Sequence, residues 1–227
     1  MREHYQQELA RLKDELYLLG NMVSQALNES VVALTDHDQE RATRVIVYDR
    51  TVNSKRYRIE EDCLILIATQ GPMARDLRFL AGVLEIVSEL ERIGDYAKGI
   101  ARITQYIGGE EHVKPLIHIP QMCATVIDML HRALDAFANS DAETARAIPR
   151  QDDEIDALYN QCNKELIEII LADPRKADRA NYLSWAAHNL ERAGDRVTNI
   201  CERTIYTVTG ELLELDHLEP EASGMVG

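Results

Sequence analysis

Two pairs of carboxylates stand one helical turn apart at matching places in this chain: Glu91 with Asp95, and Glu191 with Asp195. Each pair brackets a glycine, Gly94 or Gly194, inside a run with helical apolar spacing. Like charges four residues apart destabilise a helix by a few tenths of a kcal/mol, and a mid-helix glycine costs roughly 0.8 to 1 kcal/mol relative to Ala. Carrying both twice, at equivalent places, calls for a compensating gain. Two carboxylates a turn apart can share one divalent cation. An acid from a neighbouring helix would complete an oxygen-rich, partly open site for Mg²⁺, Mn²⁺ or iron, with the glycines allowing close approach.

The neighbouring helices supply such acids. In the segment before the first pair, the apolar stripe runs through Ala42, Val45, Ile46, Val52, Ile59, Cys63 and Ile67. At 100° per residue, Asp49, Asn53, Arg56 and Glu60 project inside that stripe rather than opposite it. In the second half Asp152 and Asp156 do likewise among Ile148, Ile155, Leu166 and Ile170. Acids on an inward face must be paired with cations, hydrogen-bonded or protonated. The same residues fit a plainer arrangement equally: Arg92 and Arg192, with Arg56, Arg196 and Arg203, would neutralise the carboxylates in ion pairs. His188, three residues before Glu191, reads as an exposed or core-satisfied histidine, and the two glycines also fit plain helix crossing.

The elements that position these residues are helices. The first is expected over about Glu3 to Thr35, and Asp36-His37-Asp38 caps a second that lasts to about Thr69. Gly71-Pro72 stops and restarts the chain, placing Pro72 in the first turn of a third helix that ends at Gly108-Gly109. A linker over roughly 108–119 leads to a fourth helix, about Pro120 to Asn139. Ser140-x-x-Glu143 reads as the capping box of a fifth, which Pro149 should bend or delay one turn before Asp152. Asp173-Pro174 starts a sixth that runs to about Gly210. The expected architecture is all-α, two tandem, pseudo-repeated three-helix bundles over 1–108 and 115–210, with an acidic tail over 211–227 that should fray.

The duplication is visible in the letters. A shift of 103 superimposes Asp38, Ala42, Asp49 and Val52 on Asp141, Ala145, Asp152 and Ile155. A shift of 100 superimposes Leu90, Glu91, Arg92, Gly94, Asp95, Ile100 and Tyr106 on identical residues. The three-residue difference falls in the turn between the second and third helices of each unit. A lone unit with a leftover apolar face gains by packing on its copy.

Composition narrows the partners. With 25 basic and 39 acidic residues among 227, the chain carries −14 at pH 7, which disfavours nucleic acid and anionic lipid. The N-terminus is charged from its second residue, and no apolar run approaches the roughly 20 residues a membrane span needs, so the expectation is a cytoplasmic protein. Cys63, Cys123, Cys162 and Cys201 lie far apart and read as reduced, mostly buried thiols. Met22, Met73, Met122 and Met129 read as gap fillers in core or interface, and Trp185 as packed between bundles. Arg75, Asp76 and Arg78 read as a solvated helix start. No phosphate-cradling glycine loop, nucleophile elbow or paired Glu-x-x-His occurs, so no catalytic residue is assigned and the chain is not expected to be an enzyme. A carboxylate-metal enzyme would explain the acids alone, and a purely structural scaffold the helices alone.

Together these residues resemble one family. Gln70-Gly71-Pro72-Met73-Ala74-Arg75-Asp76-Leu77-Arg78 nearly meets the pattern Gln-x-Pro-x-Ala-x-Asp-Leu-Arg. Glu91-Arg92-Ile93-Gly94-Asp95 and Glu191-Arg192-Ala193-Gly194-Asp195 follow, with Asp49-x-x-Val52-Asn53 and Asp152-x-x-Ile155-Asp156 upstream of each. Over residues 1–210 the chain resembles the PhoU family of the bacterial phosphate-specific transport system. That resemblance implies a pair of three-helix bundles and a negative regulator of the phosphate-starvation response. It also implies coupling between the ATPase subunit of the phosphate ABC transporter and a sensor histidine kinase; a homodimer is expected, and the charge and lack of an anchor lead us to expect contact with the membrane only through partners. It further implies a divalent metal ion, Mg, Mn, Fe or Zn, held by Asp49, Glu91 and Asp95 in the first half and by Asp152, Asp156, Glu191 and Asp195 in the second. Asn53 departs from a full carboxylate pair.

Overall fold

Residues 2–215 are described in the computed structural model. Seven α-helices span them: α1 Arg2–Asp36, α2 Gln39–Gln70, α3 Ala74–Ile107, α4 His118–Asn139, α5 Ala142–Ala147, α6 Asp152–Ala172 and α7 Ala177–Thr209. Short 3₁₀ turns, Ile148–Gln151 and Pro174–Lys176, lead into α6 and α7. No strand occurs among the described residues, so the fold is all-α as expected. Helices α1, α2 and α3 pack on one another, and so do α4, α6 and α7. This is the three-plus-three arrangement, with α5 and α6 together standing where one helix was expected.

The repeat is written into the backbone as well as the letters. His37 and Ser140, 103 residues apart, both adopt left-handed φ, 56° and 55°. The next residue caps the following helix in each half. Asp38 accepts from the Arg41 N–H at 2.8 Å, and Asp141 from the Thr144 N–H at 3.0 Å. The matching turn bonds, Asp38 N–H to Ala33 O and Asp141 N–H to Ala136 O, measure 2.9 and 2.8 Å. The cap of α5 is therefore Asp141, one residue beyond the expected Ser140. Ser140 cannot serve because its left-handed backbone belongs to the end of α4.

Proline sets two further boundaries. Pro149 lacks the N–H that would continue α5, which ends at Ala147, and one 3₁₀ turn later α6 begins at Asp152. Pro72 does not sit in the first turn of α3 as expected. Gly71 takes φ 54°, Met73 is extended and caps the helix, and α3 starts at Ala74. At the other end, α7 is followed by an extended segment whose Leu215 is buried, its N–H donating to Glu202 Oε1 at 2.6 Å. Of the tail expected to fray, 211–214 are exposed and only Leu215 is held, and 216–227 lie outside the described residues.

The two halves meet along α3 and α7, which run antiparallel and form one continuous core with α1 and α4. The Tyr106 ring lies tilted against Tyr182, Gly99 faces Asn189, and Gly82 faces Thr207. These pairs place Gly94 and Gly194 opposite one another, at the pseudo-two-fold relating the repeats. Across α1 and α4, Tyr17 donates to Asp135 at 2.7 Å and Lys13 to the Ala138 carbonyl at 2.8 Å. Met122 and Met129 are fully buried, but Met73 and Trp185 are exposed, contrary to expectation. Trp185 is equivalent to the exposed Glu85, so its position faces outward in both repeats and its ring rests on Tyr182 instead. All four cysteines are free and buried, with burial raising the thiol pKa of each.

Candidate metal centre

The first-half acids gather on the seam between α2 and α3. Asp49 is buried to 7% exposure, its mid-helix position turned toward α3. Lys98 spans the cluster: its Nζ donates to Asp49 Oδ2 at 2.6 Å and lies 3.8 Å from Asp95 Oδ1. Asn53 Nδ2 reaches the same Asp49 oxygen at 3.4 Å. On the other flank Arg56 pairs with Glu60 at 2.9 Å and lies 3.5 Å from Glu91 Oε1. Burial, then the charge of Asp95, raise the Glu91 pKa, while Arg56 opposes them. The first cluster is thus crossed by two cations of the chain itself.

The second cluster has the same backbone plan and different side chains. Lys98 is replaced by Thr198, Arg56 by Tyr159 and Asn53 by Asp156. Thr198 Oγ1 is buried without a hydrogen-bond partner, as is Glu191 Oε2. His188 Nδ1 approaches that Glu191 oxygen to 3.2 Å, within ion-pairing distance though not aligned as a hydrogen bond. Arg192 lies 3.5 Å from Asp195 Oδ2. Burial, then Asp195, raise the Glu191 pKa. Asp156 raises it further, and His188 and Arg192 oppose. Glu191 therefore sits among carboxylates whose mutual repulsion a cation would relieve.

The glycines separate in the same way. A Cβ on Gly194 would collide with Asp152 Oδ1 and stand 3.0 Å from Ile155 Cδ1, so α7 needs glycine for Asp152 to lie against it. A Cβ on Gly94 would meet Val52 Cγ1 at 3.5 Å, ordinary contact that Ala satisfies. The close approach read from the sequence holds for the second half alone. Asp152 also gains from Pro149: the broken helix makes it the first residue of α6, where the helix dipole favours a carboxylate.

Asp49 and Asp95 thus lie within electrostatic reach of Glu91, and Asp156 and Asp195 within reach of Glu191, with Asp152 against Gly194 on the same seam. Asp156 is the most outlying, exposed rather than inside the apolar stripe. Among the described residues no group of three or more His, Cys, Asp or Glu side chains is placed to hold a metal ion. As donors, the second-half acids fit a hard cation: all are oxygens, with one imidazole beside them, and the buried Glu191 oxygen is open to a further partner. The first-half donors fit less well, because Lys98 already supplies the positive charge. Sequence reasoning missed Lys98. Its signal was its spacing, three residues after Asp95 and seven after Glu91, which puts all three on one helix face.

With fold and site in view, the comparisons are specific. A family model described as the PhoU domain matches twice, over residues 16–104 and 119–204. The chain therefore belongs to the PhoU family. It is similar to the phosphate-specific transport system accessory protein PhoU of Serratia marcescens, 35% identical over 204 residues, covering 90% of this chain and 84% of that one. It is also similar to the PhoU homolog of Clostridium acetobutylicum, 33% identical, covering 95% and 99%. The crystal structure of the phosphate transport system regulatory protein PhoU from Streptococcus pneumoniae superposes with a TM-score of 0.86 at 31% identity, covering 93% of this chain and all of that one. That of PhoU from Pseudomonas aeruginosa gives 0.86 at 33%, covering 91% and 100%.

Proposed function

We propose that this chain serves phosphate transport as a negative regulator of the phosphate-starvation response. In this reading it is an adaptor between the ATPase subunit of a phosphate ABC transporter and a sensor histidine kinase. The observation that carries the reading is the match of both repeats, over nearly the whole chain, to proteins named for the phosphate-specific transport system. The absence of a transmembrane-length apolar helix among the described residues accords with reaching the membrane through partners. Exposed Leu64, Ile65, Met73 and Leu77 around the α2–α3 turn support self-association as a homodimer.

The second acid cluster, Asp152, Asp156, Glu191 and Asp195, holds the divalent ion in this proposal, with Mg²⁺, Mn²⁺ or iron better suited to its oxygens than zinc. When bound, the ion neutralises the carboxylates and ties α6 to α7, stiffening the face offered to partners. Asp49, Glu91 and Asp95 form the weaker site, already bridged by Lys98.

Alkaline phosphatase activity in phosphate-replete cells tests the regulatory role. Deleting the gene should raise it, and wild type should restore the low level. Activity that stays low on deletion contradicts the proposal.

A further inference from the structure

A cavity of about 330 Å³ opens at the pseudo-two-fold, between α3 and α7, and is lined by Arg92, Asp95, Tyr96, Arg192 and Arg196. Both repeats contribute. Arg92 and Arg192 are equivalents under the shift of 100, and Tyr96 and Arg196 occupy equivalent positions. Three guanidinium groups line this one cavity in a chain of net charge −14, and the acids beside them are Glu89, Asp95 and Asp195.

Their ion pairs are long, and Glu91 and Glu191 lie within electrostatic reach of Arg92 and Arg192. Glu89 divides one carboxylate between Arg92 at 3.4 Å and Arg196 at 3.5 Å, and its Oε2 also accepts from Asn199 at 3.2 Å. Arg192 lies 3.5 Å from Asp195, and the Tyr96 hydroxyl rests against the same guanidinium. Asp95, the single carboxylate in the lining, has Lys98 at 3.8 Å behind it. Arg196 is the most enclosed of the three, its side chain 14% exposed, and its Nε is buried with no acceptor. Each guanidinium carries five donors, more than the long ion pairs and the Tyr96 contact named here engage. A buried N–H without an acceptor is a marked exception in a folded chain.

We infer that this cavity binds a phosphate group, as inorganic phosphate or as a phosphate monoester. Arginine forks match the tetrahedral oxyanion geometry, and a dianion would satisfy Arg92, Arg192 and Arg196 together. The volume lies at the small end of ligand sites, roughly 300 to 1,000 Å³, which suits a phosphate with a modest organic group better than a whole nucleotide. Because lining residues come from both repeats, the bound anion would also clamp α3 to α7. The inference stands on the arginines and does not require metal at the acid clusters.

The test uses the full-length, metal-free chain in the presence of a chelator, so that no metal-held anion contributes. Isothermal titration with inorganic phosphate and, separately, with phenyl phosphate should give saturable binding of one phosphate group per chain by at least one probe. The tighter probe identifies the source, free anion or monoester. Arg196→Gln and Arg92→Gln should each weaken binding roughly tenfold, the loss of one charge-assisted contact, while Arg175→Gln, on an exposed turn, leaves it unchanged. Arg92 is half-exposed, so its variant keeps the fold, which circular dichroism verifies. No saturable binding of either probe by the native chain overturns the inference. So does binding that both cavity variants leave within twofold.

Discussion

The two halves share a backbone plan and differ in how they treat the same acids. In the first, Asp49 is buried in mid-helix and Lys98 reaches from α3 to α2 to neutralise it at 2.6 Å. In the second, Asp152 begins a helix, Thr198 stands where the lysine would be, and Glu191 keeps a buried oxygen without a hydrogen bond. Duplication supplied two equivalent clusters. In one the chain's own lysine meets the buried acid, and in the other the proposed ion would take that place. A carboxylate motif alone therefore does not define a metal centre: the residues three and four positions further along the helix decide whether the charge is already met.

The largest expected effect breaks the closed half. Lys98→Met leaves Asp49 buried without its cation, with only Asn53 as a donor, and should cost about 2 kcal/mol or more. That corresponds to roughly 4 to 8 °C in melting temperature for a chain of this size. Added Mn²⁺ should recover part of the loss, because the cluster then resembles its twin. The converse change, Thr198→Lys, should add to the Arg192–Asp195 pair a lysine placed as Lys98 is in the first half, and should remove the metal-dependent rise in melting temperature that the proposal predicts.

The glycines give a smaller, oppositely signed pair. Gly194→Ala drives a methyl into Asp152 and Ile155 and should destabilise by roughly 1 to 3 kcal/mol. Gly94→Ala meets only ordinary contact and should stabilise by about 0.5 to 1 kcal/mol through helix propensity. Thermal melts of the two variants should move in opposite directions. A matching loss in both would mean the crossing is equally tight in each half.

The smallest effect is in pH. The Glu191 carboxyl is raised by burial and by Asp195, so between the ordinary carboxylate range and that raised value the folded chain holds more protons than the unfolded one. Metal-free stability should therefore fall as pH rises through that window and be restored by lowering pH. Glu191→Gln, neutral throughout, should remove this component from the pH profile and leave the metal-free chain slightly more stable than wild type at pH 7. In wild type, the metal-dependent stabilisation should weaken as pH drops and protons compete for the carboxylate.

Much of this organisation was legible in the sequence. The repeat, the inward place of Asp49 and the aspartate cap at Asp38 follow from side-chain periodicity and local hydrogen bonding, which are short-range. What escaped was set by backbone choices that neighbours compete to determine, or by contacts across helices. Ser140 and Asp141 both suit a cap, and the left-handed turn ending α4 chose the second. Pro72 suits a first turn, but Gly71 and an extended Met73 postponed α3. Trp185 suited packing between bundles by type, whereas its repeat partner Glu85 already indicated an outward position. The bridge from Lys98 to Asp49 spans 49 residues, beyond any local pattern, and the arginine cavity appears only when α3 and α7 are laid antiparallel.

The most direct test is metal stoichiometry. Wild type, Glu91→Gln/Asp95→Asn and Glu191→Gln/Asp195→Asn are each loaded with Mn²⁺, dialysed and assayed by elemental analysis, with circular dichroism confirming the fold. The asymmetry predicts that the second-half variant loses the bound ion while the first-half variant keeps it. Equal loss from both variants, loss from the first alone, or no retained ion in wild type would contradict it.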